Sequence, residues 1–152
     1  MPRSSYSLAH GIWGASGSAG EAQAGQYVMS ASTSDATPDE LAIGAAGNTD
    51  NYIVLPNNGA YAFEGTIVTR QQAADGTISA AWQVKGLIRR EANAGSTVLV
   101  NSAIEVLSNA SSLGLALSAD TTNGGLAITC TGLASTDLRW VGTIKTTEVV
   151  YA

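Results

Sequence analysis

The sequence predicts an all-β protein: an antiparallel β-sandwich, jelly-roll-like or not in its connections, with an extended N-terminal arm. Three observations carry that expectation. From Gln26 onward, short runs with apolar residues at every second position alternate with clusters of Gly, Asn, Asp, Ser and Pro. No segment keeps the 3.6-residue period of an amphipathic helix. The composition suits tightly turned strands, with 17 glycines and only 12% charged against 45% hydrophobic residues in a chain of 152. A chain this long buries roughly two-thirds of its unfolded surface in one core without disulfides or metals, so one domain is expected over residues 26–152.

Residues 1–25 carry much Gly, Ser and Ala and little periodicity, which reads as the extended arm. Tyr6, Leu8, Ile12 and Trp13 make it too apolar for a solvated tail, so it is expected to dock on its own domain or on a neighbouring subunit. "QYVMSAS" is the first strand, followed by the turn-rich "SDATPDE", then "LAIG", the loop "AAGNTDN" and "YIVLP". "AYAFEGTIVTR" sets Tyr61, Phe63, Gly65 and Ile67 on one face against Ala62, Glu64, Thr66, Val68 and Arg70 on the other. "SAAWQVKGLIRRE" repeats the scheme, with Trp82, Val84, Gly86 and Ile88 inward, so the two form a long hairpin.

"GSTVLVNSAIEVL" supplies a strand or two; a helix over "NSAIEVLSNASS" is opposed by its β-branched, Asn and Ser content. "LGLALSA" and "GGLAITC" flank Asn123-Gly124, a pair suited to a two-residue type I′ turn. Asp120 and the neighbouring threonines offer either an oxygen-rich ligand cluster or caps for backbone donors, and turn chemistry is the simpler account. "LRWVGTIKTTEVVYA" closes the chain with Trp140, Gly142 and Ile144 inward. The expected core is Phe63, Ile67, Trp82, Val84, Ile88, Leu117, Leu126, Ile128, Trp140 and Ile144. Glycines 65, 86 and 142 mark places where another backbone or a tryptophan ring lies close.

Chemistry-bearing residues are sparse. His10 is the one histidine and lies in the arm, and Cys130 is the one cysteine, so no His/Cys metal cluster and no intrachain disulfide are expected. The loops at residues 34–40 and 47–51 lack the ligand spacing of an EF-hand, and no phosphate-binding glycine loop is present. No carboxylate pair is evident on facing strands. No catalytic residue, cofactor or metal is therefore expected, and the chain reads as not an enzyme. The 7 basic and 12 acidic residues, net −5, offer no basic field for nucleic acid. No signal peptide and no run of ~20 apolar residues is found, so no membrane partner is expected and synthesis is placed in the cytoplasm. Arg89 and Arg90 form the one compact charged patch. Together with Tyr6, Leu8, Ile12 and Trp13 they are the candidate partner contacts. Tyr6, Trp13, Tyr27, Tyr52 and Tyr151 read as exposed aromatics, suited to sugar or to subunit interfaces.

The second half has a recognisable frame: W-x-x-x-G-x-I-x-R (82–90), G-S-T-x-L-V (95–100), A-D-T-x-N-G-x-L-x-I-x-x-T-G (119–132) and R-W-V-x-x-I-x-T-x-E-V (139–149). Over residues 61–150 it resembles a β-sandwich domain of tailed-bacteriophage virion structural proteins, often the C-terminal portion of a tail fibre. "GQYVMSASTSDATPDELAI" is more loosely similar to the same family. The resemblance implies a structural role and carries over no catalytic residue. With Met1 only about 25 residues ahead of the domain, a small stand-alone component is expected. That component is a capsid cement (decoration) protein, a homotrimer on the outer capsid surface of the virion that staples junctions of the major capsid protein. The alternative is a tail fibre or receptor-binding module contacting the bacterial surface.

Overall fold

The computed structural model describes residues 10–13, 19–44 and 52–151, and the side chains of the last two ranges from residue 21 onward. Ten strands are described: β1 (His10–Trp13), β2 (Ala19–Thr33), β3 (Pro38–Glu40), β4 (Ile53–Val54), β5 (Gly59–Gln71), β6 (Ser79–Arg90), β7 (Val98–Ser108), β8 (Gly114–Asp120), β9 (Gly125–Thr131) and β10 (Leu138–Val150). The described residues contain no α-helix, only a 3-10 turn at Ala94–Ser96. The expected all-β sandwich is what the chain forms.

The larger sheet has the order β1-β2-β10-β5-β6-β7, antiparallel throughout. In the smaller sheet β9 is central. β8 lies along one edge of β9, while β3 and β4 share the other edge end to end. A jelly roll is built from two Greek keys. Here β5, β6 and β7 are a plain meander in one sheet, β8 and β9 form a hairpin in the other, and β10 returns between β2 and β5, so the connections are not those of a jelly roll. Strand β2 begins at Ala19 and pairs with β10 from Ala22 to Thr33, so the sheet runs through the boundary expected at residue 25.

The long hairpin has the predicted alternation. Tyr61, Phe63 and Ile67 of β5 and Trp82, Val84 and Ile88 of β6 are buried, and the residues between them face out. Ile67 lies opposite both Trp82 and Gly142, and the rings of Trp82 and Trp140 stack, 5.6 Å between centroids and 17° apart. Trp140 Nε1 donates to Thr33 Oγ1 at 2.9 Å, which satisfies the indole where water is excluded. Of the expected core only Leu117 differs. It is half-buried, because β8 is an edge strand of the smaller sheet.

At Gly86 another backbone does lie close, the Asn101 carbonyl of β7, and the ring beside it is that of Phe63, its cross-strand neighbour, and not a tryptophan. A Cβ at Gly86 would meet that ring at 2.7 Å. The turn between β8 and β9 also differs from expectation. It is a four-residue loop, Thr121–Gly124, closed by the Gly124 N–H donating to the Asp120 carbonyl at 2.8 Å, and Gly124 alone takes a positive φ, +85°.

The edge strand β7 stands apart from the rest. Every residue except Leu99 is exposed, including Val98, Val100, Ile104, Val106 and Leu107. Ile104 and Val106 lie opposite the buried Val84 and Trp82 and so point to the core side of the sheet. Val106 is nevertheless 58% exposed, because the smaller sheet ends at β8, whose own inward Leu115 and Leu117 are only partly covered. The sandwich is open along this seam.

Candidate contact surface

Arg89 and Arg90 are adjacent in β6 and therefore point to opposite faces. Arg89 lies on the solvent face, 3.4 Å from Glu91 in an exposed ion pair that contributes little to stability. Arg90 is half-buried at the end of the sandwich. Its Nη1 donates to the Leu55 carbonyl at 2.7 Å, and the guanidinium covers Gly124, leaving no room there for a Cβ. Arg90 thus ties β6 to the β8–β9 loop and the chain leaving β4. Tyr6 and Leu8 lie outside the described residues. Ile12 and Trp13 belong to β1, paired with Ala22 and Ala19, and β2, β10 and β5 separate that edge from β6. The described ones among the expected contact residues are not brought into one patch.

A polar knot sits at the β1 side of the core. Glu148 of β10 is buried and accepts hydrogen bonds from Gln23 Nε2 at 2.6 Å, Tyr27 Oη at 3.2 Å and Thr146 Oγ1. Burial, then the charge of Glu148, pushes the Tyr27 hydroxyl up to about 12. Tyr61, opposite Glu148 across β5 and β10, is raised for the same reasons. Tyr27 therefore faces this knot and is not a free surface aromatic. A carboxylate so fully supplied with donors has little capacity left for a ligand, and its effect is to join β2, β5 and β10.

At the β8–β9 loop, Asp120 Oδ1 accepts from the Thr122 and Asn123 N–H groups at 2.8 and 3.0 Å, and Oδ2 from Asn123 Nδ2 at 2.7 Å. Burial alone would raise this carboxyl, but the bonds from Asn123 and Thr122 outweigh it and hold the pKa below its usual value. Asp120 spends its oxygens on the turn. Among the described residues no group of three or more His, Cys, Asp or Glu is placed to hold a metal ion. Cys130 is buried, and its thiol is pushed up to about 12 by burial and by Asp39.

Among the described residues no layer covers the outer face of the larger sheet. Lys145, Glu64, Lys85 and Ala103 lie side by side across β10, β5, β6 and β7, in a ladder of alternating charge. A shallow groove of about 670 Å³ follows this row, its floor formed in part by Phe63 and Gly86. Glu105 lies one row on, opposite Gln83. The face that sequence reasoning missed is the β7 edge. Its signal is six large aliphatics with a single charge in eleven residues, without the clean alternation that marks a covered strand.

No family model and no curated protein sequence matches the chain. Among solved structures it is similar to the tailspike protein gp49 from Acinetobacter baumannii bacteriophage Fri1, a capsular polysaccharide depolymerase. That match has a TM-score of 0.48 and 9% identity, over 94% of this chain and 21% of that one. It is also similar to the tailspike protein of Acinetobacter phage vB_ApiP_P1, with a TM-score of 0.30 and 15% identity, over 84% and 22%. The chain spans about a fifth of the length of each. The expectation that the chain is not an enzyme is corrected here, since one of these structures is a depolymerase. At such identity the likeness transfers no catalytic residue.

Proposed function

We propose that the chain is a structural module of a tailed-bacteriophage virion, part of the tail, where a fibre or receptor-binding assembly contacts the bacterial surface. The observation that supports this reading is how the virion-protein frame of residues 82–149 is used. Trp82 and Trp140 form the central stack. Gly86 makes room for Phe63. Arg90 ties the two sheets. Ser96 and Thr97 bond the 3-10 turn through their hydroxyls, Asp120 to Gly124 build the hairpin loop, and Thr146 and Glu148 form the polar knot. These motif positions each have a job in folding, so the frame bears on the kind of domain this is and the resemblance on the kind of particle that carries it.

The test is the position and copy number of the protein in purified virions, read by immunogold electron microscopy and quantitative mass spectrometry. Tail-restricted label with few to tens of copies is expected. Label spread over the shell, with hundreds of copies, would overturn the tail placement in favour of a capsid cement protein.

A further inference from the structure

We infer that Arg70 and Arg139, paired across β5 and β10 on the outer face of the larger sheet, form a binding site for a phosphoryl group. The inference stands apart from the tail placement and does not need it.

The first argument is a like-charge pair with nothing to answer it. Arg70 lies directly opposite Arg139, and both are exposed. Side chains so placed have Cβ atoms about 5 Å apart, where like charges repel. Ser32 of β2 and Ser79 of β6 complete the row, and the next row, Ser30, Val141, Val68 and Ala81, is neutral. Asp75 and Asp137 are the acids nearest to the two arginines along the chain, but neither forms an ion pair with them. The other cations of this face stand beside acids. Arg89 is paired with Glu91, and Lys85 and Lys145 flank Glu64. The arginine row alone carries two charges of one sign.

The second is that one of the two guanidiniums is already aimed. Arg139 Nε donates to Gln72 Oε1 at 3.0 Å, and the Gln72 N–H is tied to the Asp137 carbonyl at 2.8 Å. A neutral amide fixes the guanidinium without cancelling its charge, and leaves both Nη groups free to donate. Beside the pair lies an open hollow of about 590 Å³, lined by Arg70, Arg139 and residues 71–74. A ligand seated there meets both forks.

Charge and valence select the ligand. The chain carries net −5, yet the outward positions of the larger sheet hold Arg70, Lys85, Arg89, Arg139 and Lys145 against Glu64 and Glu105. An anion is therefore drawn to this face and repelled by the rest. A phosphate monoester brings close to two negative charges and three acceptor oxygens, enough to occupy two arginine forks. A carboxylate brings one charge and two oxygens, and leaves half of the pair unanswered.

The experiment titrates the intact chain with inorganic phosphate, glycerol phosphate and acetate in separate calorimetric runs at low ionic strength. Saturable binding of one phosphate per chain is expected, with a melting temperature that rises as the site fills. Arg70→Gln and Arg139→Gln should each weaken binding about tenfold or more, while Arg89→Gln on the same face should leave it unchanged. Gln72→Ala, which keeps both charges but frees Arg139, should weaken it less. Binding of both phosphate and glycerol phosphate supports the site, and the tighter of the two tells whether its natural source is a free or an esterified group. No saturable binding, equal losses in Arg89→Gln and Arg70→Gln, or acetate bound as tightly as phosphate overturns the inference. Both arginines are exposed, so the variants should keep their near-ultraviolet tryptophan dichroism. An unfolded Arg70→Gln would be replaced by Arg70→Lys, which keeps the charge and loses the fork: weaker binding supports the assignment and unchanged binding refutes it.

Discussion

Glu40 is an uncomfortable side chain among the described residues. Its Oε1 is buried with no hydrogen-bond partner, and burial, followed by the charges of Asp120 and Asp39, raises its pKa. A carboxyl whose folded pKa lies above its unfolded one stabilises fully only below the unfolded value, and that contribution is lost as pH rises through the folded value. At neutral pH, above the unfolded value, that contribution is diminished and the carboxyl works against the fold relative to acid. Glu40→Gln should raise the midpoint of thermal unfolding at neutral pH, and the gain should vanish in acid, where both side chains are neutral. Equal melting points at neutral pH would refute this account. Sequence alone does not reveal the conflict, because "SDATPDE" reads as a solvated acidic turn. The bridge from Ser30 to Ala42 and the Leu41 N–H bond to the Ile128 carbonyl draw the segment onto the sheets. Gly86 is the opposite case. A glycine within an alternating run signals a close approach, though not which ring makes it.

At the scale of elements, strands are legible where two layers cover them and obscure where one layer ends. β5, β6 and β10 alternate because one face of each is buried, and the sequence pattern records that difference. β7 has no covered face, so its pattern is blurred and its boundaries read as one strand or two. The β8–β9 connection was legible as a hairpin but not as a loop type. Asn-Gly favours a two-residue turn, yet the Asp120 carboxylate captures the donors of Thr122 and Asn123 and stabilises a longer loop in which Gly124 alone needs the left-handed conformation. Asp120→Ala leaves those donors to water and should cost about 1 kcal/mol, or about 2–4 °C in melting temperature for a domain of this size. Asp120→Asn, which keeps one acceptor oxygen, should recover part of the loss. Equal melting of Asp120→Ala and the native chain in thermal denaturation would show that the loop holds its shape without the carboxylate.

Over the whole molecule, the acid and alkaline limits of stability have different origins. The described candidate contact residues of the sequence reading fall at separate places, and the feature that unites the domain is its interior: one continuous core with two neutral acids, Cys130 within it and Tyr27 packed against it. Both are held protonated by burial, each at about 12, above their ordinary values of 10.0 and 9.0. Tyr61 shifts in the same direction. In the unfolded chain these groups lose their protons first, so between about pH 9 and about pH 12 the folded state binds more protons than the unfolded one and stability falls with pH. Below that window both states are protonated and this contribution is constant. Thermal melts across the range should be flat up to about pH 9 and then decline continuously toward pH 12. Tyr27→Phe removes one of the titrating groups at the cost of its bond to Glu148, so the variant should start less stable and lose stability less steeply above about pH 10. A parallel decline in the two proteins would mean that Tyr27 is as exposed to solvent in the folded domain as in the unfolded chain, which the knot around Glu148 rules against.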